Sequence, residues 1–209
     1  MAEAAGLALP YPEVAVIAED TLEEQSLALA ASLPERPLVL GGCCCAHVGA
    51  VEGLRAEFGR VGLVWIDAHG DLNTPESSPS GNAWGMPLRM LVDAEVVRPD
   101  DVALVGARNL DPPEDEFLAA TPIGVGTQAV ARALEGLAGV YVALDVDALD
   151  GEEVAAFMPE PGGLALAEVD ELLRRVAAET TVVGAGFTGL VPDERNAEPL
   201  TRLGRALGL

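Results

Sequence analysis

The sequence predicts a three-layer α/β/α fold, in which helices cover both faces of a mostly parallel sheet. Short apolar runs rich in Val, Ile and Leu alternate with longer helical patterns along the chain. The apolar runs lack polar alternation, which is typical of parallel strands buried on both faces. A length of 209 residues with 50% apolar residues suits one domain, residues 1–209, with a sizeable core.

Each element follows from a local pattern. The candidate strands are residues 13–17, 38–40, 62–66, 102–105, 123–125, 140–144 and 181–185. Thr21 and Glu24 have the spacing of a capping box, which begins a helix that ends near residue 32. Further helices are predicted at residues 46–58, 113–119, 127–137, 167–178 and 198–207. Residues 73–86 form a long irregular stretch, and such loops in a compact domain are usually functional.

Composition narrows the classes of partner. All 12 basic residues are Arg, and against 34 acidic residues they give a net charge of −22. Such a surface repels phosphate, so nucleic acid and anionic membranes are not expected partners, whereas a small cationic or amino-acid-like molecule is. Because the chain has no Lys, Schiff-base chemistry and a P-loop lysine are excluded.

The cysteines and the N-terminal residues predict a cytoplasmic location. Cys43, Cys44 and Cys45 are consecutive and therefore poorly placed to bridge one another, so no disulfide framework is expected. The first ten residues lack the basic flank and the long apolar run of a signal peptide. No uncharged apolar stretch is long enough to predict a membrane span.

Acidic residues follow two of the candidate strands. Asp67, His69 and Asp71 come directly after residues 62–66, and Asp145 and Asp147 come directly after residues 140–144. Residues two apart in extended backbone point to the same side, and ligands bind beyond the carboxyl ends of parallel strands. Crowded carboxylates repel one another unless a cation lies between them. Hard oxygens with one imidazole suit manganese, iron, nickel or zinc better than calcium.

If two carboxylates bridge, two ions could lie roughly 3.5–4 Å apart and activate a shared water as hydroxide at neutral pH. The alternative is structural, because an Asp after a strand often caps a helix or forms a turn. His47 is interpreted as a packed helical residue, and the three cysteines as small fillers at a strand end. Trp65 and Trp84 are interpreted as packing residues. Several acidic residues are interpreted as solvated surface: Asp93, Asp100, Asp101, Glu114, Asp115 and Glu116.

Taken together, the motifs resemble those of the ureohydrolase superfamily, which includes arginase, agmatinase and formimidoylglutamase. The family's Asp-Ala-His-x-Asp-x-Asn-x-Pro is present at residues 67–75, and its Asp-Val-Asp-x-Leu-Asp at residues 145–150. A Ser-Gly-Asn motif begins at Ser80, and residues 108–114 resemble Arg-Asp-x-Asp-Pro-x-Glu. The resemblance runs in order from about residue 37 to the C-terminus, and it implies an arginase-like fold.

The resemblance implies a role for each matching residue. The implied metal ligands are Asp67, His69, Asp71, Asp145 and Asp147, with Asp67 and Asp145 bridging two ions. Asp71 and Asp145 are the implied catalytic residues. Asn73, Ser80, Asn82 and Asp111 are implied to face the substrate. The family usually carries manganese and hydrolyses guanidinium or formimino groups. For this chain the resemblance implies one or two divalent ions, manganese first and zinc, nickel or iron as alternatives, and hydrolysis of a guanidinium, amidine or formimino C–N bond by metal-bound hydroxide. Its members commonly form homo-oligomers.

Three departures from the family pattern carry chemical consequences. Cys44 stands at the position of a histidine ligand, where a thiolate favours a softer metal such as zinc. Trp84 stands at the position of a proton-shuttling histidine, and Gly189 at that of the glutamate that holds the guanidinium group. Losing a charged anchor costs about 2–5 kcal/mol of recognition, and losing a general acid costs about 10²–10⁴ in rate. Efficient arginase activity is therefore not expected.

Three functions remain open from the sequence. The first is a divergent and shortened ureohydrolase that is still a metal-dependent hydrolase. The second is a catalytically impaired metal-binding pseudoenzyme, or a partner subunit of the same fold. The third borrows from the related deacetylase fold, with one metal held by Asp67, His69 and Asp147. It ranks last because the chain has no tandem histidine pair and no obvious tyrosine partner.

Overall fold

The computed structural model describes residues 7–209, and in them a six-stranded sheet forms the centre of the molecule. All of its strand pairs are parallel, in the order β1-β6-β5-β2-β3-β4. The strands are β1 (Leu38–Leu40), β2 (Gly62–Ile66), β3 (Val102–Val105), β4 (Gly124–Val125), β5 (Val140–Asp145) and β6 (Val182–Thr188).

Helices cover both faces of this sheet. They are α1 (Leu22–Ser32), α2 (Ala46–Phe58), α3 (Pro87–Asp93), α4 (Pro112–Ala120), α5 (Val130–Ala133), α6 (Leu166–Glu179) and α7 (Ala197–Ala206). Alternate residues of β2 enter different cores, as the period of a strand requires. Val64 and Ile66 pack with α6 and α7, whereas Leu63 and Trp65 pack with α2 and α3. The predicted three-layer, mostly parallel α/β fold is confirmed.

The predicted strand at residues 13–17 is wrong. This segment makes no ladder with the sheet, and Val14 and Val16 are 65% and 60% exposed. Among the described residues β1 pairs only with β6 and forms one edge of the sheet. The β-branched residues gave the segment strand propensity, but that propensity is realised only when the backbone pairs with a neighbour.

Other boundaries also differ from the prediction. The single helix predicted at 127–137 is a 3-10 turn (Thr127–Ala129) followed by the one-turn α5. The predicted strand at 123–125 keeps only its last two residues. The helix α3 was not predicted; Pro87 begins it, in the position where the missing N–H of proline costs nothing. β6 continues beyond the predicted Ala185 to Thr188.

The strand order brings the chemically important ends together. β5 lies between β2 and β6, and its last residue, Asp145, pairs with Thr188. Ile66 at the end of β2 pairs with Leu144, so Asp67 and Asp145 leave the sheet at adjacent points. No helix within residues 7–209 combines the length and apolar character that a membrane crossing needs.

Candidate metal centre

A cleft of about 550 Å³ opens at the carboxyl ends of the strands, and its floor is acidic. Six of the residues that line it are the predicted metal ligands: Cys44, Asp67, His69, Asp71, Asp145 and Asp147. All of them are buried except His69, which is partly exposed. The structure therefore brings together every residue that the sequence predicted to bind metal, although their role as ligands stays a prediction.

The candidate ligands form two adjoining clusters that share one aspartate. In the first cluster, Cys44, Asp67 and Asp71 each offer one ligand atom, all within 4.8 Å of one another. In the second cluster, Asp67, His69 and Asp147 do the same. Asp67 can therefore contribute to both, as a carboxylate that bridges two ions does.

Cys44 lies in the turn before α2 and contributes its sulfur to the first cluster. Its Sγ lies 3.0 Å from Asp145 Oδ2, 3.4 Å from Asp67 Oδ2 and 3.1 Å from Thr188 Oγ1. Asp71 Oδ2 is buried in the same cluster and has no hydrogen-bond partner. Cys44 is thus more than the small apolar filler that sequence reasoning favoured, because three polar oxygens surround its sulfur.

His69 organises the second cluster through both ring nitrogens. Nδ1 lies 3.1 Å from Asp147 Oδ2 and 3.4 Å from Asp67 Oδ1, while Nε2 lies 3.5 Å from Glu160 Oε1. Hydrogen bonding with Asp147 and then Asp67 raises the pKa of His69 to about 11. In the absence of a metal, the imidazolium is therefore the only side-chain cation that these carboxylates contact within residues 7–209.

Burial and mutual repulsion disfavour the charged forms of the clustered carboxylates. Burial raises the pKa of Asp145 to about 8, with further contributions from the charges of Asp67 and Asp147. Burial, followed by nearby carboxylates, also raises the pKa of Asp71. Arg108 offers no compensation, since its guanidinium donates to main-chain carbonyls such as that of Asp147. Carboxylates held this close favour binding of a divalent cation.

Backbone and indole N–H groups hold the carboxylates in place. His69 N donates to Asp67 Oδ1 at 2.8 Å, and Trp65 Nε1 donates to Asp67 Oδ2 at 3.3 Å. Asp147 N donates to Asp145 Oδ1 at 2.9 Å, within the 3-10 turn that follows β5. Such outer partners orient metal ligands. Trp65 therefore has a role at the site in addition to the packing that the sequence indicated.

His47 is a buried neutral histidine and not a ligand. Its ring nitrogens lie 3.0 Å from the Tyr141 hydroxyl and 3.2 Å from Thr188 Oγ1. Burial lowers its pKa to about 3. The interpretation of His47 as a packed helical residue agrees with these contacts. Through Thr188, which also donates to Asp145 Oδ2 at 3.2 Å, it supports the first cluster.

Three of the four predicted substrate-facing residues line the cleft: Asn73, Ser80 and Asp111. Asn73 Nδ2 donates to Asp111 Oδ2 at 2.8 Å, which joins the loop after β2 to the start of α4. The structure does not bring Asn82 to the cleft surface. Asn82 precedes the 3-10 turn at Ala83–Gly85, and its main-chain N–H donates to Ser80 Oγ instead.

Two acidic residues predicted as solvated surface are in fact buried. Glu114 is 3% exposed, lines the cleft, and accepts hydrogen bonds from the N–H groups of Leu72 and Asp111. Its three-residue spacing from Asp111 is a capping-box signal that could have revealed this role. Asp101 is also buried, where it accepts two hydrogen bonds from Arg60.

Glu160 was not predicted as a site residue. It lies in a loop without regular structure, and no local motif marks it. Arg108, in the segment after β3, donates to the main-chain carbonyls of Glu160 and Pro161 and also to that of Asp147 in the turn after β5, which ties these segments together. The Glu160 carboxylate also accepts from Asn109 Nδ2 at 3.1 Å. These tertiary contacts, and not the local sequence, place Glu160 beside His69.

The mouth of the cleft is apolar. Trp84, Phe157 and Met158 line it and are exposed, and the rings of Trp84 and Phe157 meet edge to face with centroids 6.5 Å apart. Gly189 lies deeper, against Asp145. A Cβ atom at Gly189 would lie 2.1 Å from Asp145 Oδ1, and the φ of +66° also favours glycine. A longer side chain at this position is therefore incompatible with the observed place of Asp145.

Comparison with known proteins identifies the family: the chain belongs to the arginase family, whose model matches residues 10–206. It is 32% identical over 189 residues to the arginase of Bacillus caldovelox, covering 77% of this chain and 63% of that protein. It is 38% identical over 139 residues to the arginase of Staphylococcus aureus (strain COL), covering 54% of this chain and 46% of that protein. The matches thus span about half to two thirds of these curated relatives.

A solved structure supports the same assignment. The crystal structure of arginase from Bacillus cereus matches this chain with a TM-score of 0.82 and 30% sequence identity. The match covers 89% of this chain and 77% of that one. The ureohydrolase resemblance and the arginase-like α/β fold predicted from the sequence are confirmed.

Proposed function

We propose that this chain is a divergent metal-dependent hydrolase that acts on the C–N bond of a guanidinium, amidine or formimino group. The observation that carries the proposal is the pair of adjoining ligand clusters that share Asp67. Membership of the arginase family, whose named relatives are arginases, supports the reaction class.

The donor set fits a divalent metal. Four carboxylates, one imidazole and one thiol line one cleft, and the buried Asp71 Oδ2 has no other partner. Asp67, His69, Asp145 and Asp147 would hold one ion, and Asp67, Asp71 and Asp145 a second. Manganese is the first metal to test, with zinc, nickel and iron as alternatives. When bound, such ions supply the Lewis acidity that activates water at neutral pH.

The protein's own groups orient the reactants. Asp71 Oδ2 is a buried carboxylate oxygen left free to bind an ion in the first cluster, where Asp145 Oδ2 lies 3.0 Å from Cys44 Sγ. Asn73, Ser80 and Asp111 offer polar groups to an amino-acid-like or cationic substrate along the wall. Trp84, Phe157 and Met158 add apolar contacts for a substrate at the mouth of the cleft.

A second function, a metal-binding pseudoenzyme or a partner subunit, is favoured by the contact at Gly189. Gly189 has no side chain, so no carboxylate extends from this position to hold a guanidinium group, and a Cβ atom there would meet Asp145 Oδ1. Trp84 likewise cannot shuttle a proton, since an indole N–H is only a hydrogen-bond donor. An impaired subunit would bind metal without turnover.

The test is a turnover assay on protein loaded separately with manganese, zinc, nickel or iron. Guanidinium, amidine, formimino and amide compounds are screened for release of urea, formamide or ammonia. We expect turnover with at least one compound, its loss in Asp145→Asn, and its retention in the exposed control Asp115→Asn. If the metal-loaded protein turns over no compound in the panel, the hydrolase proposal is rejected in favour of the impaired subunit. Copurification with an active relative would then support the role as a partner subunit.

We further propose that the protein acts in the cytoplasm as a homo-oligomer on a small molecule, without nucleic-acid or membrane partners. The net charge of −22 supports the exclusion of polyanions. Light scattering on the purified chain measures its oligomeric state. A monomeric mass would contradict the predicted homo-oligomer but would not bear on the proposed metal centre.

A further inference from the structure

We propose that the Cys44 thiolate is a ligand in the first cluster, and that this position therefore prefers a borderline-soft ion such as Zn²⁺ or Co²⁺ over Mn²⁺. This inference rests on the proposed function, because it assigns the metal preference of that same centre. It is carried by what surrounds the sulfur of Cys44 and by the unpartnered oxygen of Asp71.

The Cys44 sulfur is placed where a ligand is needed. Its Sγ faces two carboxylate oxygens, Asp145 Oδ2 at 3.0 Å and Asp67 Oδ2 at 3.4 Å. Each oxygen has another donor, Trp65 Nε1 for Asp67 and Thr188 Oγ1 for Asp145. A thiol has one proton and can donate to only one of the two oxygens, so the other oxygen faces an electron-rich sulfur. A cation held between sulfur and oxygens removes this conflict.

The distances suit a small tetrahedral ion. With Zn–S near 2.3 Å and Zn–O near 2.0–2.2 Å, the sulfur and oxygen ligands of one zinc lie about 3.6 Å apart. The observed separations of 3.0 and 3.4 Å require shifts of about 0.6 and 0.2 Å, an estimate from the same bond lengths. The three ligand atoms of Cys44, Asp67 and Asp71 also lie within 4.8 Å of one another.

Asp71 supplies the independent observation. Its Oδ2 is fully buried in the same cluster and has no hydrogen-bond partner. Buried polar atoms in folded proteins are almost always paired, so this orphaned oxygen marks an ion or a water that completes it. Because one carboxylate oxygen of Asp71 lies within 4.8 Å of the Cys44 sulfur, an ion that binds Asp71 can also reach the sulfur.

The thiolate determines which ion is preferred. Thiolate ligands select zinc and other softer metals, whereas carboxylate and water oxygens suit manganese. In the second cluster, by contrast, Asp67, His69 and Asp147 offer only oxygen and nitrogen. The two clusters therefore differ in the softness of their ligands, because only the first one contains a sulfur atom.

The test is titration of the metal-free protein with Co²⁺, followed by absorption spectroscopy. A thiolate bound to Co²⁺ gives a near-ultraviolet charge-transfer band that oxygen and imidazole ligands do not give. We expect this band in the wild type and in the double variant Cys43→Ser/Cys45→Ser, and its loss in Cys44→Ser. The preference for Zn²⁺ over Mn²⁺ in competition should fall in Cys44→Ser by more than about tenfold, the lower end of the loss seen for an outer-sphere partner.

Each other outcome overturns the inference. Bound Co²⁺ without the band, or a band that persists in Cys44→Ser, shows that the thiolate is not a ligand while the carboxylate centre stands. A protein that binds no Co²⁺ and no Mn²⁺ contradicts the proposed function as well. If Cys44→Ser does not fold, the comparison of the wild type with the double variant tests the inference. Loss of the band in the double variant would assign the band to Cys43 or Cys45 and contradict the role of Cys44.

Discussion

The Nε2 atom of His69 lies 3.5 Å from the Glu160 carboxylate, while Nδ1 of the same ring faces Asp147 and Asp67. One ring nitrogen therefore points toward the candidate metal ligands and the other toward an outer carboxylate. This is the arrangement that fixes the orientation of a metal-binding imidazole and raises its basicity.

Replacing Glu160 should weaken metal binding without unfolding the protein. Glu160→Gln removes the charge beside His69 Nε2, and loss of such an outer partner costs about 10–100-fold in metal affinity. Isothermal titration with Mn²⁺ measures the effect, with the exposed Glu152→Gln as the matched control. Equal affinities in the two variants would show that Glu160 does not orient the imidazole.

Gly189→Ala should disturb both stability and the metal centre. The added Cβ would lie 2.1 Å from Asp145 Oδ1, and alanine is strained at a φ of +66°. We expect a loss of about 1–3 kcal/mol in the free energy of unfolding, together with weaker metal binding. Gly42→Ala is the control, because a Cβ there meets nothing within 4 Å. Denaturant unfolding that shows no difference between the variants would contradict the packing described at Asp145.

His47 should make the metal-free protein sensitive to acid. Burial lowers its folded-state pKa from 6.5 to about 3, so the unfolded chain binds the proton first as the pH falls. The contribution of His47 to the free energy of unfolding therefore decreases from about pH 6.5 toward pH 3, by about 1.4 kcal/mol for each unit.

His47→Gln isolates this contribution, since the site carboxylates titrate in both proteins and cancel in the comparison. Urea unfolding with chelator present should show the stability advantage of the wild type shrinking by about 2 kcal/mol between pH 7 and pH 5. A constant difference across that range would mean that His47 is not held neutral in the fold.

The sequence predicted the grouping of the candidate ligands well because its information is local. Asp67, His69 and Asp71 follow one strand at two-residue spacing, Asp145 and Asp147 follow another, and parallel strands end at one edge. The period of extended backbone and the topology of a parallel sheet were then sufficient to bring them together.

The rest depended on contacts between distant parts of the chain. Glu160 lies beside His69 because Arg108 donates hydrogen bonds to the main-chain carbonyls of the loop that contains Glu160. No pattern in the residues around Glu160 predicts that contact. The segment at residues 13–17 has strand-forming residues but no paired neighbour in the described structure. Asn82 matches a family motif, yet the turn that follows it leaves its side chain off the cleft surface.

The metal content of the chain tests the central claim most directly. Protein purified without added metal, and again after Mn²⁺ or Zn²⁺ is supplied and excess ions are removed, is analysed for elements per chain. We expect one or two divalent ions per chain in the wild type, and a clear loss in a variant that carries Asp67→Asn and Asp145→Asn. A wild-type chain that retains no ion under either condition would contradict the account.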